Sequence, residues 1–180
     1  MHGFIFIEFE KFALTQMTYP TWYEVLAENN LRDRQYSPIE LYPDSEILGL
    51  LQSVSQRTHL SPEKLLEMFG INIVPDLMKV YRAYIDPDWT TMDLLENAEK
   101  TIHVSVRKST AGAAPPILDI SRPLPNEIII NYVSGRHMVE LGVGIIKGLA
   151  KYYKEADNIA IELIKDIELG KSIIKVRQLF

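Results

Sequence analysis

Glu127-Ile-Ile-Ile-Asn-Tyr-Val-Ser-Gly-Arg136 is a β-branched run that reads as a strand. Side chains alternate across a strand, so Tyr132, Ser134 and Arg136, at i, i+2 and i+4, are expected to share one face. Two hydroxyls beside a guanidinium suit one or two carboxylates, because the fixed fork of arginine matches a carboxylate in a way that lysine does not. Upstream, on a stretch that reads as helix, stands His103, whose imidazole could bind a metal. A buried apolar molecule that carries both a metal and carboxylates is most economically a haem. Taken singly, each feature also has a plain reading: a polar strand edge, and a packed or solvent-facing helix histidine.

The chain has 180 residues, enough for one domain or a domain with a small appendage, and at 47% hydrophobic it can fill a sizeable core. A formal net charge of -5 offers no basic face to phosphates, which argues against nucleic acid. No apolar run approaches the roughly 18 residues of a membrane span. The opening Met1-His-Gly-Phe-Ile-Phe-Ile-Glu-Phe-Glu lacks a basic segment and is broken by acids, so it does not read as a signal peptide. A cytoplasmic location is expected. Cysteine is absent, which removes disulfides, thiolate catalysis, iron–sulfur clusters, cysteine zinc sites and thiolate-ligated or covalently attached haem. The imidazoles are His2, His59, His103 and His137, no two at the spacing of a helical zinc motif. Any metal is therefore expected from a cofactor plus one histidine.

The first half reads as helices. They are expected from Gly3 to about Met17, from Thr21 to Asn29 with Pro20 in the first turn, and from a capping Asp44 to about Thr58. Pro38–Pro43 is a connector. Ser61-Pro62-Glu63 starts a further helix, with Ser61 as cap, that ends at Gly70. Another helix spans about Ile73 to Tyr84, Asp86–Asp88 is a turn, and Thr90 or Thr91 opens a long helix through Ile102 and Val106. After a loop ending at Pro116, strands are expected at Ile117–Ser121 and Glu127–Ser134, joined through Arg122-Pro-Leu-Pro125. A helix then runs from Arg136 to about Tyr153. Strands Asn158–Glu168 and Ser172–Leu179 follow, joined by a Glu168–Lys171 turn. The plan is α+β: a helical N-terminal part, about residues 1–84, and an α+β part with an antiparallel sheet, about residues 85–180.

Together these features resemble the H-NOX family, the haem-nitric oxide/oxygen binding domains, over essentially the whole chain. Tyr132-Val-Ser-Gly-Arg136 is similar to the family's Tyr-x-Ser-x-Arg signature, and Met1-His-Gly-Phe-Ile-Phe to its opening. His103 lies on the helix that carries the proximal ligand there, and Pro116 falls where the family sets a proline against the haem. The resemblance implies a single domain with haem b (iron protoporphyrin IX) buried between the helical distal part and the proximal α+β part. His103 would be the iron ligand, Tyr132, Ser134 and Arg136 the propionate clamp, and Pro116 a residue that distorts the macrocycle, a role open to Pro115 as well. Some members carry a distal tyrosine that donates to bound O2. Its position here is Leu141, and that of its polar neighbour is Ile73, with Ile5, Phe9, Leu77 and Ile145 completing an apolar pocket. All of these would be core residues in either case. Such a pocket favours NO and CO over O2, and Asn72 and Tyr81 are the nearest polar groups.

Other positions carry less. His2 lies near the start of the first helix and could approach the haem edge, although such histidines are ordinary. His59 reads as surface, and His137 would point away from the Arg136 face if the strand continued. Trp22, Tyr23 and Trp89 read as packing or interface aromatics. Glu96, Glu99, Asp166 and Glu168 read as solvated surface.

The resemblance therefore implies a haem-based sensor of nitric oxide that is not an enzyme. No nucleophile elbow, P-loop or dinucleotide fingerprint is present to suggest catalysis. A chain of this length is filled by such a domain. Signalling is then expected to run through a separate protein, a histidine kinase or cyclic-di-GMP enzyme, when NO releases His103 from iron. The alternative is a haem carrier or another small-ligand-binding protein. A peroxidase would need distal His and Arg acid–base groups that the sequence does not place.

Overall fold

The computed structural model describes residues 1–166 and 171–179. It is an α+β fold. Helices α1 (Gly3–Gln16), α2 (Tyr19–Glu28), α3 (Asp44–Thr58) and α4 (Pro62–Val80) come first. They are followed by α5 (Thr91–Ala98), a π-helical turn (Glu99–His103) and α6 (Val104–Ser109). Strands β1 (Ile117–Leu124) and β2 (Glu127–Val133), helix α7 (Val139–Tyr152) and strands β3 (Ile159–Asp166) and β4 (Lys171–Gln178) complete the order. The sheet is four-stranded and antiparallel, with order β1-β2-β4-β3. The expected turn at Glu168–Lys171 falls outside the described residues except for Lys171.

The helix starts follow the expected chemistry. Ser61 accepts the Lys64 N–H at 3.2 Å, and Pro62 occupies the first helical position, where its missing N–H costs nothing. Thr90, rather than Thr91, caps α5 in a reciprocal box with Asp93. Asp44 does not cap α3. It is the first helical residue, and its carboxylate takes the Met1 amine at 2.6 Å and the Arg136 Nε at 2.8 Å instead.

Two expected helices are one. Gly70 does not end a helix, and α4 runs on through Pro75 to Val80. A Cβ at Gly70 would collide with the Leu141 carbonyl and the Ile145 N–H, and one at Gly144 would strike the Glu67 carbonyl. Both glycines therefore serve the backbone-to-backbone approach of α4 and α7, the most extensive helix packing in the molecule. A glycine inside a helix costs about 1 kcal/mol relative to alanine, which this contact offsets.

The other departures are local. β1 continues through Pro123 to Leu124 with an irregular register after Ser121, as an edge strand allows. α7 begins at Val139 rather than Arg136, because His137 takes a left-handed φ of 53° and the chain turns before the helix starts. The long helix expected from Thr90 is interrupted by the π turn at 99–103.

Buried apolar residues form two clusters. One holds Phe6, Phe9, Phe12, Trp22, Phe69 and their neighbours in α1 to α4. The other lies among α5, α7 and the sheet, around Leu94, Ile128, Tyr132, Ile146 and Ile174. Trp22 is a packing residue whose indole donates to Glu10 at 3.0 Å. Trp89 packs against the second cluster, and Tyr23 is exposed beneath the Arg32 guanidinium.

The glycine pair sets a test of the fold. Gly144→Ala is expected to destabilise the protein by about 1–3 kcal/mol, the usual cost of overpacking. Gly135→Ala, where a Cβ meets nothing within 4 Å, should stay within about 0.5 kcal/mol of wild type. Urea denaturation followed by circular dichroism measures both, and equal effects would refute the close-packing account.

Candidate functional site

Between the two clusters lies a cavity of about 290 Å³, near the lower end of the range for small-molecule sites. One wall is apolar. Ile5 comes from α1, Ile73 and Leu77 from α4, and Leu141 and Ile145 from α7, and all of them line it. Phe9 does not. One turn beyond Ile5 its ring has left the cavity and is 1% exposed among Phe12, Trp22 and Phe69, with Phe69 edge-on at 5.3 Å. Phe4, Leu41 and Met78 line the cavity although the sequence reading does not place them there, and His2 lines it too. Of the two polar candidates, Asn72 is exposed and Tyr81 lines the cavity. Burial raises the Tyr81 pKa, so its phenol stays protonated.

The facing wall is formed by α5, the π turn, α6 and the loop before β1, with Ile102, His103, Val106, Pro115 and Pro116 all reaching the cavity. His103 closes the π turn, and its Nδ1 lies 3.0 Å from the Glu99 carboxylate. The Pro116 carbonyl also lies within hydrogen-bonding reach of the ring. Burial lowers the His103 pKa against the opposing pull of Glu99, so the imidazole is neutral near pH 7 and one ring nitrogen remains a lone-pair donor.

Glu99 is not the solvated acid that its sequence context suggests. Its carboxylate accepts from His103, from Arg107 and from the Leu118 N–H at 3.3 Å. Burial pushes its pKa up, and the hydrogen bonds from His103 and Arg107 outweigh that and hold it below the usual range. The i, i+4 spacing of Glu99 and His103 is a signal that the sequence does carry.

Tyr132, Ser134 and Arg136 meet at one end of the cavity, but only Tyr132 is placed there by strand alternation. β2 stops at Val133, and the turn that follows brings Ser134 and Arg136 to the same end. Tyr132 is 8% exposed, and burial raises its pKa, so it is a neutral donor. The Arg136 fork is divided: Nε faces Asp44 at 2.8 Å and Nη1 donates to the Ala114 carbonyl. His137 turns away from the cavity and lines a shallow groove beside Pro62 and Glu140. His59 is exposed, at the left-handed end of α3.

A family model described as haem-NO-binding matches residues 2–162. The chain belongs to the haem-NO-binding, or H-NOX, family. No curated protein matches the sequence. Solved structures share the fold throughout. The H-NOX protein from S. oneidensis in its Fe(II)NO state is 22% identical, with a TM-score of 0.90 over 100% of both chains. The unliganded Fe(II) H-NOX protein from K. algicida is 23% identical, with a TM-score of 0.86 over 100% of this chain and 97% of that one. A mutant of the T. tengcongensis H-NOX is 24% identical, with a TM-score of 0.86 over the same shares.

H-NOX domains bind haem, and the residues around this cavity fit one. The walls are largely apolar, hydroxyl and guanidinium donors are gathered at one end, and the neutral His103 imidazole lines the cavity from the π turn before α6. Among the described residues no group of three or more His, Asp or Glu side chains could hold a metal ion, so iron here would take most of its ligands from the cofactor. No described helix is long and apolar enough to cross a membrane.

The lowered pKa of His103 has a consequence for the apoprotein. Above the ordinary value of 6.5 the ring is neutral in both folded and unfolded chains and contributes nothing. As pH falls through that value the unfolded chain takes up the proton more readily, and folding weakens. The urea midpoint of the apoprotein should therefore fall between about pH 7.5 and about pH 5.5, and His103→Gln should flatten that loss. An unchanged slope in the variant would contradict the burial of a neutral His103.

Proposed function

We propose that this H-NOX protein senses nitric oxide at a ferrous haem b, also binds CO, and does not hold O2. His103 is the iron ligand. Tyr132, Ser134 and Arg136 hold the propionates, Pro116 packs against the macrocycle, and Ile5, Ile73, Leu77, Leu141 and Ile145 form the distal wall. Haem iron supplies an open coordination position for a diatomic gas. The observation that carries the choice of gas is the apolar wall formed by α1, α4 and α7, in which, by the family resemblance, Leu141 and Ile73 take the positions of the distal tyrosine and its polar neighbour. Bound O2 is polar and gains much from such a donor, whereas NO and CO depend on one far less.

Signalling follows from what His103 joins. Its helix leads through α6 and the loop at 110–116 into β1, while the distal wall belongs to α1, α4 and α7. Release of His103 would free the π turn and let the helical part, about residues 1–84, shift against the remainder, about residues 85–180. A partner reads this only if its affinities for the two arrangements differ. The partner is a separate cytoplasmic protein, a histidine kinase or a cyclic-di-GMP enzyme, and the chain itself is not an enzyme.

Absorption spectra of the anaerobically reduced protein test the reading. NO and CO should each shift the Soret band, and air should oxidise the haem without a stable O2 complex. A stable O2 complex would overturn the gas assignment, and its loss in Tyr81→Phe would identify the donor. His103→Gly should hold haem only with added imidazole, and Arg136→Ala should lose haem faster than wild type on dialysis. Haem retained unchanged in both variants would remove the ligand and clamp roles.

A further inference from the structure

Glu99 has no part in the haem site proposed above, yet it is the most heavily partnered carboxylate near it. It opens the π turn that His103 closes, and its side chain is 21% exposed. One oxygen lies 3.0 Å from His103 Nδ1 and accepts the Leu118 N–H of β1 at 3.3 Å. The other accepts from Arg107 Nη2 on α6. The carboxylate is therefore pinned by two elements besides the imidazole and cannot follow the ring freely.

We propose that Glu99 is a positioning residue for the proximal ligand, a carboxylate that accepts the His103 Nδ1–H and makes the imidazole a stronger donor to iron. This rests on the reading of His103 as the iron ligand. A carboxylate on one ring nitrogen fixes the tautomer, so that Nε2 carries the lone pair, and it fixes the ring plane. Partial transfer of negative charge to the ring raises its basicity, which strengthens the bond it makes to a metal and stabilises the more oxidised ion. The neighbouring Arg107 works in the opposite direction, because it draws on the same carboxylate. Glu99 and Arg107 together set how firmly His103 is held and hence how readily it is released. The Pro116 carbonyl is the competing acceptor, and being neutral it would polarise the ring less.

Two measurements separate this inference from the haem reading. In the 15N-labelled apoprotein at mildly alkaline pH, His103 should be the Nδ1–H tautomer, with a slowly exchanging proton that is lost in Glu99→Leu. A proton equally protected in the variant would assign the bond to Pro116 and overturn the proposal. In the reduced, haem-loaded protein, resonance Raman should show the iron–histidine stretch moving to lower wavenumber from wild type to Glu99→Gln to Glu99→Leu. The haem midpoint potential should rise in the same order, and Arg107→Leu should move the stretch upward. Glu99→Gln is nearly isosteric and guards against misfolding as the cause. A stretch and potential unchanged across haem-loaded variants would overturn the role of Glu99 while leaving His103 as ligand. A wild-type protein that takes up no haem would overturn both.

Discussion

The approach of α4 to α7 is the constraint on which the cavity depends. At Gly70 and Gly144 the two backbones come closer than any side chain permits. From that contact Ile73 and Leu77 run along one helix, and Leu141 and Ile145 along the other, so the four side chains converge on a single wall. A larger residue at either glycine would push the helices apart and open that wall. An apolar wall penalises a polar group that enters it without a hydrogen-bond partner, so the packing that defines the fold also sets the polarity of this side of the cavity.

How much of this is legible in the sequence depends on which physical signal a residue carries. The strands are legible because alternation has a short, clean period, and β2 and β4 stand where the Ile-rich runs put them. Gly70 misleads because glycine has two uses, to end a helix and to let another backbone approach, and one sequence cannot separate them. The π turn is invisible because its wider winding leaves no mark in a five-residue stretch. Phe9, set in the pocket by the resemblance, is not corrected by the sequence pattern because the apolar face of α1 is broad, and only the packed structure shows where the helix leaves the cavity and enters the aromatic cluster.

The end of the site that would face carboxylates is instructive in another way. Tyr132 follows from strand geometry, whereas Ser134 and Arg136 reach the same place by a turn that the strand argument does not contain. The left-handed His137 makes that turn possible, and it also delays α7 by three residues relative to the expected start at Arg136. Spacing in a sequence can therefore point to the right constellation for an incomplete geometric reason.

The divided fork of Arg136 links these parts. Its guanidinium spans from Asp44 at the start of α3 to the carbonyl of Ala114, in the loop that carries Pro115 and Pro116. Asp44 in turn holds the amine of Met1, next to the α1 residues that line the cavity. A carboxylate arriving at this end must share Arg136 with Asp44. Asp44 is 40% exposed, so solvent screens the existing pair and its loss costs little. An incoming carboxylate within the apolar cavity would be screened less and held more strongly for the same geometry. Because Arg136 touches the segment bearing Pro116 and the helix bearing Asp44 at once, any change in how it is shared is felt on both sides of the cavity. This link shares no residue with the contacts that His103 makes with Glu99.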